Sequence, residues 1–374
     1  MKRWEISALQ QGMLIAAVCA VSGHALAVTH FLRVGGRDAW WVGIFAWPVA
    51  AVSIACWYGL RKIFPYDTLV QYLPKVLGYA GYPLAAFYSL YFFTVVVFTL
   101  RSTTDWMVDS ILTETPSWVM GTLYMAAVVY AAMGGLDVLA RVSQFTLPLL
   151  AANGMFVAVS TGPAKDYRLL TPFFENGLPP LLAVTVLGLG YYGESCVMAM
   201  TGAYVRKDER TKVLKANLLA LLFMVTTFSG PLAGSVATLG YRVAQNMAYP
   251  TFQHWLMVSF PRFFERTDLL AVHQWLAGGY TRCGLYLLMA VHGCRQLAPK
   301  IRIKERTLVA IAGLLAVLAS EYAFPHKPAF DAFVIDLYLP VGAYLGILFP
   351  VLLYVVARAR GLHKQAQGAP SHGA

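Results

Sequence analysis

Long apolar stretches separated by short polar connections recur along the whole chain. A run of about 20 apolar residues is long enough to cross a bilayer as an α-helix. We expect ten such helices, at residues 7–32, 39–60, 81–103, 117–133, 138–159, 181–204, 213–239, 269–294, 308–322 and 333–356. A shorter apolar segment at 69–77 is interpreted as an interfacial connector. The pattern predicts an all-α polytopic membrane protein with ten transmembrane helices.

The sixth stretch, residues 181–204, has an unusual centre. It contains Gly188, Gly190, Gly193 and an acid, Glu194. A spanning helix must satisfy its own backbone, so a glycine-weakened segment is tolerated only against protein or a polar cavity. An intramembrane carboxylate by default indicates a functional site. The alternative is an intact helix whose glycines let a neighbouring helix pack closely, with Glu194 paired locally.

The first stretch has a matching interruption, Ser22, Gly23 and His24, at a similar depth. Corresponding interruptions five helices apart are typical of two inverted five-helix repeats, expected here at about 7–160 and 178–356. In such folds helices 1 and 6 are discontinuous, and their ends meet near the midplane around a ligand. Close packing for Gly23 and an interior polar role for His24 are the alternatives.

Four further side chains belong to the candidate site or its surroundings. Tyr191 and Tyr192 either close the pocket or pack as aromatic core residues. Glu194 either receives a ligand ammonium, carries a proton or holds a helix end. Arg282, halfway along the eighth stretch, either pairs with an acid across the bundle, with Glu194 as a candidate, or extends toward the membrane surface.

Composition and charge support a membrane protein. The chain has 374 residues, 58% hydrophobic and 13% charged, whereas soluble proteins average about 25% charged residues. Most of the 29 lysines and arginines fall on the side that holds both termini, which places that side in the cytoplasm. Residues 1–360 are expected to form a single transmembrane domain, and the polar residues 361–374 a disordered cytoplasmic tail.

Enzymatic and metal-binding motifs do not stand out. The five cysteines lack metal-ligand spacing, and no phosphate-binding loop or nucleophile motif is present. We therefore expect no catalytic residues, no cofactor and no nucleic-acid partner.

Several segments together resemble one family, the B subunits of the GerA-type spore germinant receptors. The segments are ISALQQGML (6–14), PYDTLVQYLPKVLG (65–78), MGGLDVLAR (133–141), TPFFENGLPPLLAVTVLGLGYYGE (171–194) and FPRFFERTDLLAVHQW (260–275). The last contains the pair Glu265-Arg266, which we interpret as a structural cap or loop clamp at the outer end of the eighth helix. The first helix departs from the family pattern, with Val28 near the position where a proline is usual.

The resemblance implies a place in the amino acid–polyamine–organocation transporter superfamily, with its LeuT-like fold of ten helices in a five-plus-five inverted repeat. It also implies a nutrient sensor for amino acids in the spore inner membrane, working with a larger A subunit and a lipoprotein C subunit. The competing hypothesis is a secondary transporter of amino acids or polyamines, coupled to protons through Glu194 or His24.

Overall fold

Helices form nearly all of the regular structure in the computed structural model, which describes residues 4–21, 27–258, 267–300, 302–324 and 326–364. The α-helices, in chain order, are α1 (Ala8–Val21), α2 (Val28–Gly35), α3 (Val42–Ile63), α4 (Leu69–Leu77), α5 (Gly81–Ser110), α6 (Ser117–Gly134), α7 (Leu136–Ser160), α8 (Leu178–Gly193), α9 (Met198–Thr201), α10 (Val213–Leu239), α11 (Tyr241–Ala244), α12 (Pro250–Met257), α13 (Asp268–Leu297), α14 (Glu305–Tyr322), α15 (Lys327–Phe333), α16 (Leu339–Ala343) and α17 (Phe349–Ala359). The predicted connector at 69–77 coincides with α4.

Seven helical stretches of the described chain are long and apolar enough to cross a membrane. They are Val28–Ile63, Leu69–Ser110, Ser117–Gly134, Leu136–Ser160, Leu178–Tyr204, Lys207–Leu239 and Lys327–Ala359. Helix α1 is apolar but shorter, with 14 residues, while α13 and α14 contain 30 and 18 residues and carry several charged side chains. The chain is therefore an integral membrane protein, and the count of ten spans and the inverted repeat stay predictions.

The sixth span keeps a helical backbone through its three glycines, and the α-helix ends at Gly193 without an unwound segment, so the predicted discontinuity stays a prediction. Helix α8 includes Gly188, Gly190 and Gly193, and the backbone tightens to a 3-10 helix only at Glu194–Val197. Close packing explains the glycines. A Cβ on Gly190 would lie 2.5 Å from the carbonyl oxygen of Leu339, and one on Gly193 would overlap the carbonyl oxygen of Gly342. The expected interruption in the first span, Ser22–His24, lies outside the described residues.

The last span faces these glycines with an irregular backbone. It contains two π-helical turns, Val334–Tyr338 and Tyr344–Leu348, on either side of α16. Side chains from neighbouring helices bond the carbonyls of the second turn: Ser53 Oγ donates to Gly346 at 2.6 Å, and Tyr88 Oη donates to Leu345 at 2.6 Å. These bonds satisfy backbone groups where lipid offers no water. The irregular turns are thereby held against α8.

Helix α8 and the last span should lose their close contact if a methyl group is added between them. We expect Gly193→Ala to lower the free energy of unfolding by about 1–3 kcal/mol, because overpacking displaces backbone rather than a flexible side chain. Gly230→Ala in α10 is the matched control, since a Cβ there has no neighbour within 4 Å. Thermal unfolding of the purified protein in detergent measures both. An equal change of stability in Gly193→Ala and Gly230→Ala would contradict the packing role of Gly193.

Candidate functional site

An ion pair lies at the centre of the helix bundle. Arg282 Nη2 donates to Glu194 Oε1 at 2.7 Å, and Arg282 Nη1 donates to Glu194 Oε2. Both side chains are fully buried. The planar guanidinium thus holds the carboxylate through two parallel bonds, which is the strongest geometry for such a pair. Of the alternatives that the sequence left open for Arg282, the structure has the pairing with Glu194.

The remaining guanidinium donors bond other helices. Arg282 Nε donates to Thr99 Oγ1 at 2.7 Å, and Nη1 donates to the Val18 carbonyl at 2.9 Å. Nη2 donates to Tyr338 Oη at 3.1 Å. One arginine on α13 is therefore bonded to α1, to α5, to the end of α8 and to the first π turn.

Glu194 accepts hydrogen bonds at both its carboxylate and its backbone carbonyl. Tyr338 Oη donates to its Oε1 at 2.5 Å, and Tyr286 Oη donates to its backbone carbonyl at 2.7 Å. The second bond satisfies the Glu194 carbonyl, which lies where the α-helix changes into a 3-10 helix. Glu194 consequently has both its charge and its backbone satisfied without water, as burial in a membrane demands.

Glycines on α13 let the partner helices approach the pair. A Cβ on Gly278 would overlap Val21 at the end of α1, and one on Gly279 would lie 2.6 Å from Tyr124 Oη. A Cβ on Gly284, two residues after Arg282, would lie 2.8 Å from Leu139. The short distance from α13 to α1 is what brings the Val18 carbonyl within reach of the guanidinium.

An aromatic layer covers the pair on one side. Phe98 stacks on Tyr338, with centroids 4.6 Å apart, and on Phe330, with centroids 5.6 Å apart. Tyr191 packs edge-on against Phe31 at 5.7 Å. The Tyr191 hydroxyl is buried and has no hydrogen-bond partner among the described residues. A buried hydroxyl without a protein partner can bond an ordered water or a ligand.

Beyond the aromatic layer lies a small cavity, at the end of the bundle that the charge bias predicts to be outer. Its volume is about 40 Å³, which at 10–15 Å³ for each water holds only a few waters. Phe330 is part of its wall, and so is Asp331, whose carboxylate lies 3.5 Å from His30 Nε2 and 3.3 Å from Arg33 Nη1. This cavity, as the described residues line it, is too small for an amino acid.

The opposite end, which holds the N-terminal segment, is also covered. Trp4 packs on Tyr204 and His292, with centroids 5.1 and 4.8 Å apart. Ile6 forms a parallel bridge with Val205, just after the sixth span. The N-terminal segment therefore lies across the inner end of the same span that carries Glu194.

The predicted site residues have different outcomes. Glu194 and Arg282 meet, and Tyr191 lies one helical turn before Glu194. Tyr192 instead bonds the Gly43 carbonyl at 3.2 Å and packs on Phe228, so it belongs to the core contact with α3 and α10. Gly188 packs against Val42 in the same contact. Ser22, Gly23, His24, Glu265 and Arg266 lie outside the described residues, and their roles stay predictions.

Sequence reasoning missed three residues that bond the pair: Thr99, Tyr286 and Tyr338. Threonine and tyrosine are common in apolar helices, where Thr often bonds the preceding turn of its own backbone. Thr99 does so here as well, donating to the Val95 carbonyl at 2.7 Å. No local signal separates these hydroxyls from others in the spans, since their role depends on which helices meet.

The fold is that of known membrane transporters. MhsT, solved in complex with L-phenylalanine, aligns with a TM-score of 0.63 at 14% identity, covering 98% of this chain and 99% of that chain. MHP1, a nucleobase-cation-symport-1 family transporter, aligns at 0.64 and 14% identity, covering 98% and 92%. A manganese transporter of Eremococcus coleocola aligns at 0.66 and 11%, covering 97% and 82%. The protein is an all-helical membrane protein with a LeuT-like transporter fold.

The family follows from the sequence comparison. Residues 5–327 match the family described as spore germination protein, and the chain belongs to that family. Spore germination protein XB of Bacillus anthracis is 26% identical over 353 residues, covering 94% of this chain and 97% of the relative. Spore germination protein KB of Bacillus subtilis (strain 168) is 22% identical over 331 residues, covering 86% and 87%. The resemblance to receptor B subunits is confirmed, and the family is not one of enzymes.

Removing both members of the buried pair should cost less than the two single losses added together. We expect Glu194→Gln and Arg282→Met each to lower the free energy of unfolding by about 3–5 kcal/mol, because each leaves a buried charge without its partner. The double variant should lose clearly less than the sum of the two. Arg168→Met, which breaks an exposed pair with Asp166, is the control and should cost at most about 1 kcal/mol. Thermal unfolding provides the double-mutant cycle, and additive losses would contradict a coupled pair.

Proposed function

We propose that this protein is the nutrient-sensing membrane subunit of a spore germinant receptor. The germinant, a small amino acid, binds near the midplane between the first and sixth helices, beside the Glu194–Arg282 pair. Family membership supports the receptor role. The observation that carries the site is the buried, bidentate pair, because it joins the end of α1 to the point where the sixth span changes helix type.

The charges of the pair favour a zwitterionic ligand. An α-amino acid that enters between the two side chains offers its ammonium to Glu194 and its carboxylate to Arg282. Every charge then keeps an opposite partner. A polyamine or a simple carboxylic acid satisfies only one side chain and leaves the other charge buried, at a cost of several kcal/mol. The pair thus supports amino acids over polyamines.

Binding becomes a signal through the other bonds of Arg282. The guanidinium also holds the Val18 carbonyl and Thr99, so a ligand that separates Arg282 from Glu194 shifts α1 and α5 relative to the sixth span. Two conformations that differ in affinity for the ligand are sufficient for sensing. The halves 7–160 and 178–356 move against each other as inverted repeats in this proposal. A-type and C-type receptor subunits respond to the shift, with both termini in the cytoplasm and the chain in the spore inner membrane.

A second candidate is proton-coupled uptake of amino acids. The solved neighbours are transporters, among them a Na⁺-coupled sialic acid symporter that aligns with a TM-score of 0.66. Glu194 or His24 would then carry the proton. Since one fold serves sensors and transporters alike, the choice depends on a measurement of flux.

The amino acid that binds should lose affinity when either of its charges is removed. We expect one or more common L-amino acids to raise the apparent stability by about 2.7 kcal/mol at a hundredfold excess over the dissociation constant. The corresponding amine and the corresponding carboxylic acid should each bind at least about a hundredfold more weakly, because one charge of the buried pair loses its partner. Thermal-shift titrations of the purified full chain measure all three compounds.

Gly23→Trp should abolish this binding if the ligand lies between the first and sixth helices. Gly230→Trp is the matched control, because Gly230 is exposed on α10 with open space beside it. Retained binding in Gly23→Trp would place the ligand elsewhere. An amine that binds as tightly as its amino acid would contradict the role of the pair.

Flux separates the sensor from the transporter. We expect proteoliposomes that contain this chain to take up no more of the bound, labelled amino acid than protein-free liposomes, with or without a pH gradient. Accumulation that requires the gradient and is absent in Glu194→Gln would establish the transporter instead. Binding to the same preparation, measured by thermal shift, shows that the reconstituted protein is competent.

A further inference from the structure

A cluster of basic side chains surrounds one exposed tyrosine at the inner end of the bundle. The Arg210 guanidinium lies 4.3 Å from the ring centroid of Tyr66, and the Lys207 ammonium lies 5.8 Å from it. Arg61, at the end of α3, donates from Nη1 to the Arg210 carbonyl at 3.0 Å. Three cationic side chains from two connections therefore lie within one small region.

The cluster has more positive charge than its acidic neighbours balance. The Asp67 carboxylate lies 2.5 Å from the Lys75 ammonium, and Glu209 forms an ion pair with Arg206. Arg61, Lys207 and Arg210 have no ion pair with any described residue, and Arg61 Nη2 and Arg210 Nε have no hydrogen-bond partner there. The charges of Lys207 and Arg210 also hold the pKa of the exposed Tyr66 phenol below its usual value. These three cations consequently offer charge and spare hydrogen-bond donors.

Two cavities open onto these residues. One, of about 440 Å³, has Trp4, Tyr204 and the basic side chains of Lys207 and Arg210 in its wall together with the acidic side chains of Glu5 and Asp208. Asp208 Oδ1 lies 3.9 Å from Arg206 Nε, so Lys207 and Arg210 are the cations of the wall without an ion pair among the described residues. A second, of about 10 Å³, is lined by Arg61 and shares Ala203 with the first. The larger cavity is wide enough for a phosphodiester and its glycerol, and an aromatic and a basic wall are common at the membrane interface.

We propose that Arg61, Lys207 and Arg210 form a binding site for the phosphate group of an anionic phospholipid. Guanidinium groups bond phosphate oxygens through charge-assisted hydrogen bonds, and Lys207 adds a point charge. The site lies between the ends of membrane-spanning segments, at residues 61–66 and 203–210, where lipid headgroups are found. Clusters of lysine and arginine beside membrane helices are typical of anionic-lipid recognition.

This site is connected to the span that carries Glu194. Arg61 Nε donates to the Gly202 carbonyl at 3.2 Å, near the inner end of that span. Arg206, in the wall of the larger cavity, donates its backbone N–H to the Ile6 carbonyl at 3.0 Å. A bound headgroup neutralises the repulsion between Arg61 and Arg210 and thereby stabilises the closed inner end.

Loss of two cluster charges should weaken lipid binding more than loss of two nearby charges outside the cluster. The test variant is Lys207→Gln/Arg210→Gln. The control is Lys212→Gln/Lys215→Gln, which removes the same charge from exposed positions, one at the end of the same connection and one in the first turn of α10. Native mass spectrometry of the full chain in detergent, titrated with dioleoyl phosphatidylglycerol or phosphatidylcholine, measures retained lipid. We expect phosphatidylglycerol to bind the test variant at least about tenfold more weakly than the control, because Lys207 and Arg210 contact the phosphate in the proposed site, whereas Lys212 and Lys215 act only through a screened potential.

Thermal-shift measurements with lipid and with free anions identify the source of the phosphate. Thermal stabilisation by phosphatidylglycerol, but not by millimolar inorganic phosphate or glycerol 3-phosphate, supports the lipid site. Equal stabilisation by the free anions keeps the phosphate site and overturns its assignment to a lipid. Equal losses in the test and control variants, or equal retention of phosphatidylcholine and phosphatidylglycerol by the native chain, overturn the site itself. Thermal unfolding without lipid verifies that both variants are folded.

Discussion

Two opposite charges kept without water in the middle of a membrane protein constrain everything around them. An isolated ion in such surroundings is prohibitively unstable, and even a pair persists only when its remaining donors and acceptors are bonded. Arg282 and Glu194 meet this condition through hydroxyls and a carbonyl from three other segments of the bundle and from α13 itself. Those segments cannot shift independently, because any displacement leaves a charged group unsatisfied.

Close packing is the second requirement, and glycine provides it. Bonds of 2.7–3.1 Å between side chains of different helices require backbones that approach closely. Glycines on α8 and α13 permit this approach, and the π turns of the last span place Tyr338 beside the carboxylate. The glycines of the sixth span serve contact between helices: Gly190 and Gly193 face the last span, and Gly188 faces α3.

Hydrophobic pattern was sufficient to locate the helices, because lipid imposes one solution on an apolar run: α10 begins and ends at the predicted residues 213 and 239. It was insufficient for the glycines, since the same residue weakens a helix and lets a neighbour approach. The sequence also left the partner of Arg282 open among several alternatives. Charge type shows that a partner is needed, whereas only the arrangement of α13 against the sixth span decides which acid is near. Nothing in the sequence distinguishes the Tyr338 hydroxyl, which bonds the pair, from other hydroxyls in the spans.

The proposed sensing role also has a candidate source of energetic bias in the structure. The buried Tyr191 hydroxyl has no partner among the described residues, and an unsatisfied group of this kind costs about 1–3 kcal/mol. A ligand that bonds this hydroxyl while it replaces the Glu194–Arg282 contacts removes that penalty in the bound state only. A difference of about 1–3 kcal/mol shifts a two-state equilibrium about 5- to 150-fold, and contacts to both charges add to it. In the proposed binding mode the difference arises between the first and sixth spans, so the response would reach Val18 and the inner end of the sixth span together.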